Sequence, residues 1–193
     1  LEKENRLQKL NYAFSPAAPI KKTDFFCGRI DQLNKVCDAI NEQGQHAILY
    51  GERGVGKTSL ANIMYESLTN LFPVIVTCNR KDTFNNIRMQ ALGKVQYSTT
   101  TQGIGFKSNE IEHFVNLSNY IDPKSNNFQS DIINLLNSYK QFKFLFIFDE
   151  FDNITSEKTR EGFADLIKSF SDNITNSSIV LVGIADDIES LIG

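Results

Sequence analysis

Several protein classes are closed to this chain by what it has little of. It carries three cysteines, Cys27, Cys37 and Cys78, widely spaced and with no C-x-x-C pair among them. An odd, scattered set supports neither a disulfide framework nor a cysteine-built zinc site, and it fits a reducing compartment, the cytoplasm. Long apolar runs are missing too. The longest, around residues 144–148, falls far short of the roughly 20 residues of a membrane-spanning helix, and nothing resembles a signal peptide, so no membrane partner is expected. Neither sign of charge dominates: 20 Lys and Arg stand against 23 Asp and Glu, a net charge of −3. DNA as a partner is therefore unsupported by charge. His46 and His113 have no ligand-type neighbours and read as structural, and no Ser-His-Asp or Cys-His set offers a nucleophile.

What is present suits one folded domain: 193 residues, 41% of them hydrophobic, suffice for a sizeable core. Residues 1–24 are polar, carry Pro16 and Pro19, and read as an N-terminal arm, with the domain proper over 25–193. The first residue is Leu and the last three are Leu191-Ile192-Gly193, so the expectation is a piece of a longer protein. Four apolar runs, at 46–50, 74–78, 144–148 and 179–184, are continuous rather than alternating, as in strands buried on both faces. Stripes with helical spacing separate or flank them. They are Leu33, Val36, Cys37 and Ile40; Leu60, Ile63, Met64 and Leu68; Phe84, Ile87, Ala91 and Val95; Phe128, Ile132, Leu135, Leu136 and Tyr139; and Phe163, Leu166, Ile167 and Phe170. This alternation predicts an α/β fold, a mainly parallel sheet covered by helices on both faces. Residues 97–111, rich in Thr, Ser and Gly, break the rhythm and are expected to form a mobile connection.

The most specific feature is Gly51-Glu52-Arg53-Gly54-Val55-Gly56-Lys57-Thr58, followed by Ser59. It matches GxxxxGK[ST], the Walker A pattern, with the required strand before it and helix after it. Glycines let the backbone turn its N–H groups inward toward phosphate oxygens, and the next helix adds its positive N-terminus. Lys57 can reach the β- and γ-phosphates, and the Thr58 hydroxyl can ligate Mg²⁺. A second element agrees with it. The apolar strand at 144–148 delivers Asp149 and Glu150 at its carboxyl end, where open α/β sheets bind ligands. Asp149 is placed to position the metal, as in a Walker B motif, and Glu150 to deprotonate an attacking water. Asp152 reads as a turn cap, and Thr155 or Ser156 as the N-cap of the next helix.

GERGVGKTSL followed by FLFIFDE resembles the AAA+ and STAND branches of the P-loop ATPases. Two further segments carry the likeness. Phe25-Phe26-Cys27-Gly28-Arg29 is similar to an F-x-G-R segment that runs beside the adenine in STAND and origin-recognition-like ATPases. The resemblance thus makes Gly28 and Arg29 base-side candidates; alone, the segment reads equally as a helix start with an exposed arginine. Val182-Gly183-Ile184-Ala185-Asp186 resembles the strand that ends in sensor 1. Asp186 stands where related initiators commonly have Asn, and an acidic residue would repel the γ-phosphate, so Asp186 acts there, on the metal, or in starting the next helix. Asn79 is a weaker candidate for a switch residue facing Glu150.

The resemblance covers residues 24–193 and implies a three-layer αβα sandwich with the phosphate-loop strand beside the sensor strand and the acidic strand next. It places the fifth strand, arginine finger and helical lid beyond Gly193. It implies ATP and Mg²⁺ as ligands, ATP hydrolysis involving Lys57, Glu150 and Asp186, and a homo-oligomer that assembles or remodels an unknown protein partner. The alternatives are a STAND-type switch in which ATP or ADP sets an assembly state with little turnover, and a DNA-loaded initiator or transposition-type ATPase. No guanine-reading N-K-x-D motif is present.

Overall fold

The computed structural model describes residues 30–67, 71–102, 110–125 and 127–185. The expected arm at 1–24 lies outside the described residues. Helix α1 spans Ile30–Asn41, with Val36 and Ile40 buried. The chain leaves it through Gly44, at φ +73°, where a Cβ would also sit 3.0 Å from the Ser171 carbonyl oxygen, so both conformation and space call for glycine. Strand β1 (Ala47–Leu49) leads through the glycine loop into α2 (Lys57–Ser67). Strand β2 (Phe72–Thr77) and helix α3 (Phe84–Lys94) follow, and the Thr83 side chain caps α3 by accepting the Asn86 N–H at 3.2 Å.

Past a hairpin described below come α4 (Phe128–Ser138), β5 (Phe144–Asp149), a short 3₁₀ turn (Phe151–Asn153), α5 (Glu157–Asn173) and β6 (Ser177–Val182). Of the two candidate caps, Ser156 caps α5, accepting from the Thr159 N–H at 3.3 Å.

The four long-range strands form one parallel sheet in the order β1-β6-β5-β2. Parallel pairing brings the carboxyl ends of the strands together: Leu49 pairs with Val182, Phe148 with Leu181, and Thr77 with Asp149. Every residue of β5 and β6 is buried, as continuous apolar runs predict. The pleat then divides them. Phe144, Phe146, Phe148, Ile179 and Leu181 join one core with residues of α3, α4 and α5, while Leu145, Ile147, Val180 and Val182 join another with α1 and α2. Two cores on one sheet make the three-layer αβα sandwich.

The expected connection at 97–111 is corrected at 97–102 and 110–111, while 103–109 lie outside the described residues. Strands β3 (Gln96–Gln102) and β4 (Glu110–Asn116) pair antiparallel as a separate two-stranded sheet, with Gln96 opposite Asn116 and Gln102 opposite Glu110. Tyr and a run of Thr favour extended backbone through their ring and β-branching, so low apolar content was a poor guide here. The hairpin is closed at its base, where Leu117 N–H donates to the Val95 carbonyl at 3.3 Å and Asn116 Nδ2 to the Gly93 carbonyl at 3.2 Å.

Candidate nucleotide site

The loop between β1 and α2 needs its glycines for backbone reasons. Gly51, Gly54 and Gly56 have φ of +142°, +82° and +82°, which residues with a Cβ rarely adopt. A Cβ on Gly54 would meet nothing within 4 Å, so there the dihedral alone selects glycine. Glu52, Arg53 and Gly54 are exposed, Val55, Gly56, Lys57 and Thr58 half-buried, and Ser59 buried in the first turn of α2. Lys57 Nζ curls back over the loop and donates to the carbonyls of Gly51 and Glu52, each at 2.7 Å.

Sheet order brings the acidic strand to this loop. Asp149 ends β5 and is 6% exposed. Its Oδ1 accepts from the Thr58 hydroxyl at 3.4 Å and from the Glu150 N–H at 2.9 Å. Residues 91 positions apart in sequence are thus in one site. Glu150 is exposed and has φ +54°, a left-handed conformation in a non-glycine residue, where the strand breaks into the 3₁₀ turn. A hydroxyl and a carboxylate side by side are hard oxygen donors and fit Mg²⁺, which takes few protein ligands and fills its shell with water and substrate phosphate. Among the described residues no group of three or more His, Cys, Asp or Glu forms a metal cage of its own.

The turn after Glu150 crosses the sheet in both directions. Asp152, expected as a turn cap, accepts at Oδ1 from the Ile184 N–H, beyond β6, at 2.8 Å, and so ties strand ends together. Asn153 Nδ2 donates to the Cys78 carbonyl at 3.2 Å and to Glu150 Oε2 at 3.1 Å. The Asn79 N–H and side-chain amide donate to Asp82 Oδ2 at 2.9 and 3.2 Å, and the amide bonded to Glu150 is that of Asn153. Nothing in the motif marked Asn153; its place three residues after Glu150, on a turn, was the one available hint.

Burial, with Asp82, Asp149, Glu150 and Asp152 nearby, pushes the Cys78 thiol up to about 12. It stays protonated and takes no nucleophilic part. His46 sits at the opposite end of the sheet, where its Nδ1 accepts from the Ile179 N–H at 3.0 Å, and burial lowers its pKa. Its structural reading stands. Gly28, Arg29, Asp186 and the side chain of His113 lie outside the described residues.

A family model described as an AAA domain matches residues 40–192, most of the chain. The chain belongs to the AAA domain family. This AAA domain is a nucleotide-binding, P-loop ATPase core, and solved structures share its fold. The Walker-type ATPase PABY2304 of Pyrococcus abyssi superposes with a TM-score of 0.54 at 16% identity, over 86% of this chain and 48% of that one. Cdc6p from Pyrobaculum aerophilum gives 0.54 at 17% identity, over 95% and 47%. The Aeropyrum pernix Orc1 protein, in complex with DNA, gives 0.51 at 14% identity, over 91% and 41%. The AAA domain therefore spans about half the length of these solved structures and shares their fold. No curated protein matches it by sequence. Among the described residues no helix is long and apolar enough to cross a membrane.

Proposed function

We propose that this AAA domain binds MgATP across residues 51–59 and hydrolyses it. The observation that carries the reading is the 3.4 Å contact between Thr58 and Asp149, which joins the start of the phosphate-loop helix to the end of the acidic strand. The backbone N–H groups of the loop and the N-terminus of α2 hold phosphate oxygens. Lys57 exchanges its two carbonyl partners for β- and γ-phosphate oxygens, a charge-assisted replacement. Thr58 and Asp149 are the residues that would hold Mg²⁺, whose chemistry is to draw charge from the phosphates. Glu150 takes a proton from water as its oxygen bonds to the γ-phosphorus and the bond to the β–γ bridging oxygen breaks, giving ADP and phosphate. Gly28 and Arg29 are proposed to flank the adenine, and Asp186 to act near the γ-phosphate.

Turnover in a cytoplasmic homo-oligomer would drive assembly or remodelling of a protein partner. The test is ATP hydrolysis in a preparation that turns over ATP: Glu150→Gln should abolish it while retaining nucleotide binding. Unchanged hydrolysis in that variant would remove Glu150 as the base. A second reading, a DNA-loaded initiator, draws on the fold shared with the Orc1 protein in complex with DNA. It requires DNA affinity that falls steeply with salt, and no binding at low salt would end it.

A further inference from the structure

We infer that Asn153 is a positioning residue that aims the carboxylate of Glu150, an inference resting on the reading of Glu150 as the base. A glutamate on an exposed turn has several rotamers to sample, and a base must be held within hydrogen-bond reach of one water. Asn153 supplies the hold. Its amide nitrogen has two hydrogens and two acceptors, the Cys78 carbonyl at 3.2 Å and Glu150 Oε2 at 3.1 Å. These partners fix which way the amide faces, because a flipped Oδ1 would meet two acceptors. The Asn153 N–H also donates to the Glu150 carbonyl at 3.0 Å, so backbone and side chain of the same residue close on the glutamate.

The support beneath it is hydrogen-bonded from two sides. The Cys78 N–H donates to the Asp149 carbonyl at 2.8 Å, locking the end of β2 to the end of β5. From the other side Asp152 secures the turn to the Ile184 N–H at 2.8 Å. Asn153 therefore transmits the position of the sheet edge to one carboxylate oxygen, Oε2, and leaves Oε1 to receive the proton.

The test uses ADP and Mg²⁺ with aluminium fluoride, a mimic of the transferring phosphoryl group that rewards an oriented water, and needs no steady turnover. In the unaltered full chain, aluminium fluoride should tighten ADP binding. Asn153→Ala and the isosteric Asn153→Asp should each lose about tenfold or more of that gain while binding ADP itself within about twofold of the unaltered chain. Asn153→Gln, which keeps the donor, should recover part of it. A merely structural role would move ADP affinity and melting temperature together in every variant that loses the donor to the Cys78 carbonyl. Loss of the gain in Glu150→Gln but full retention, or an increase, in the Asn153 variants overturns the role of Asn153 alone. No gain in the unaltered chain, or a gain that survives Glu150→Gln, overturns the reading of Glu150.

Discussion

At the scale of single residues, Lys57 at the start of α2 and Cys78 just past β2 mark two different environments. Lys57 is half-buried and bonded to loop carbonyls, so its removal should cost the fold little. Losing its charge-assisted bonds to phosphate should weaken ATP binding about 100-fold, or about 3 kcal/mol, in Lys57→Ala. Calorimetric titration and a urea melt on the same variant separate the two effects; equal losses in both would contradict them. Cys78 makes a statement about pH. Its thiol ionises near 9.0 when unfolded and is pushed up to about 12 in the fold, first by burial and then by four surrounding carboxylates. Above 9.0 the unfolded chain gives up a proton that the folded chain keeps, so stability is full below that pH and falls as pH rises toward about 12. The limiting slope is about 1.4 kcal/mol per pH unit. Urea melts at pH 8 and pH 10 should show the fall, and Cys78→Ala should flatten it; an equal fall in the variant would place its origin elsewhere.

At the scale of elements, one phenylalanine of α5 holds the acidic turn from below. The Phe163 ring, 1% exposed, meets Phe148 and Phe151, each with centroids 4.9 Å away and near-perpendicular planes, and Phe84 at 5.2 Å. Phe148 and Phe151 flank Asp149 and Glu150 in sequence, so the carboxylates are mounted between two packed rings. Phe163→Ala should cost about 3–5 kcal/mol by chemical denaturation, and a loss under about 1 kcal/mol would show that the mount is loose. The hairpin β3–β4 is the opposite case. It is its own sheet, closed at Val95 and Leu117, so replacing residues 97–115 with a short turn should leave ATP affinity within about twofold and the domain folded. A large loss of affinity would join the hairpin to the site. These two elements also show where the sequence was legible. Helical stripes such as Phe163 to Phe170 declared themselves because burial imposes a period, whereas Tyr97 to Gln102 carries no apolar period and its pairing depends on a partner strand residues away.

At the scale of the whole molecule, the parallel sheet is the device that makes a site from distant segments. Placing β6 between β1 and β5 lines up Leu49, Val182 and Asp149 at one edge, and the glycine loop and acidic pair follow from that edge. The α/β class and the meeting of Thr58 with Asp149 were legible from buried strands and motif placement, while the strand order was legible only through the family resemblance. Asn153 and the cross-strand tether of Asp152 were not, because a side chain's partner across a sheet has no signature in local sequence. The central claim is that residues 51–58 and Asp149 form one MgATP site. It is tested most directly by titrating the chain with ATP, with and without Mg²⁺, beside Lys57→Ala and Asp149→Asn. Tight binding that requires Mg²⁺, weakens about 100-fold in Lys57→Ala and loses its Mg²⁺ dependence in Asp149→Asn is the predicted result. Binding of equal strength in all three proteins, with no response to Mg²⁺, would contradict it.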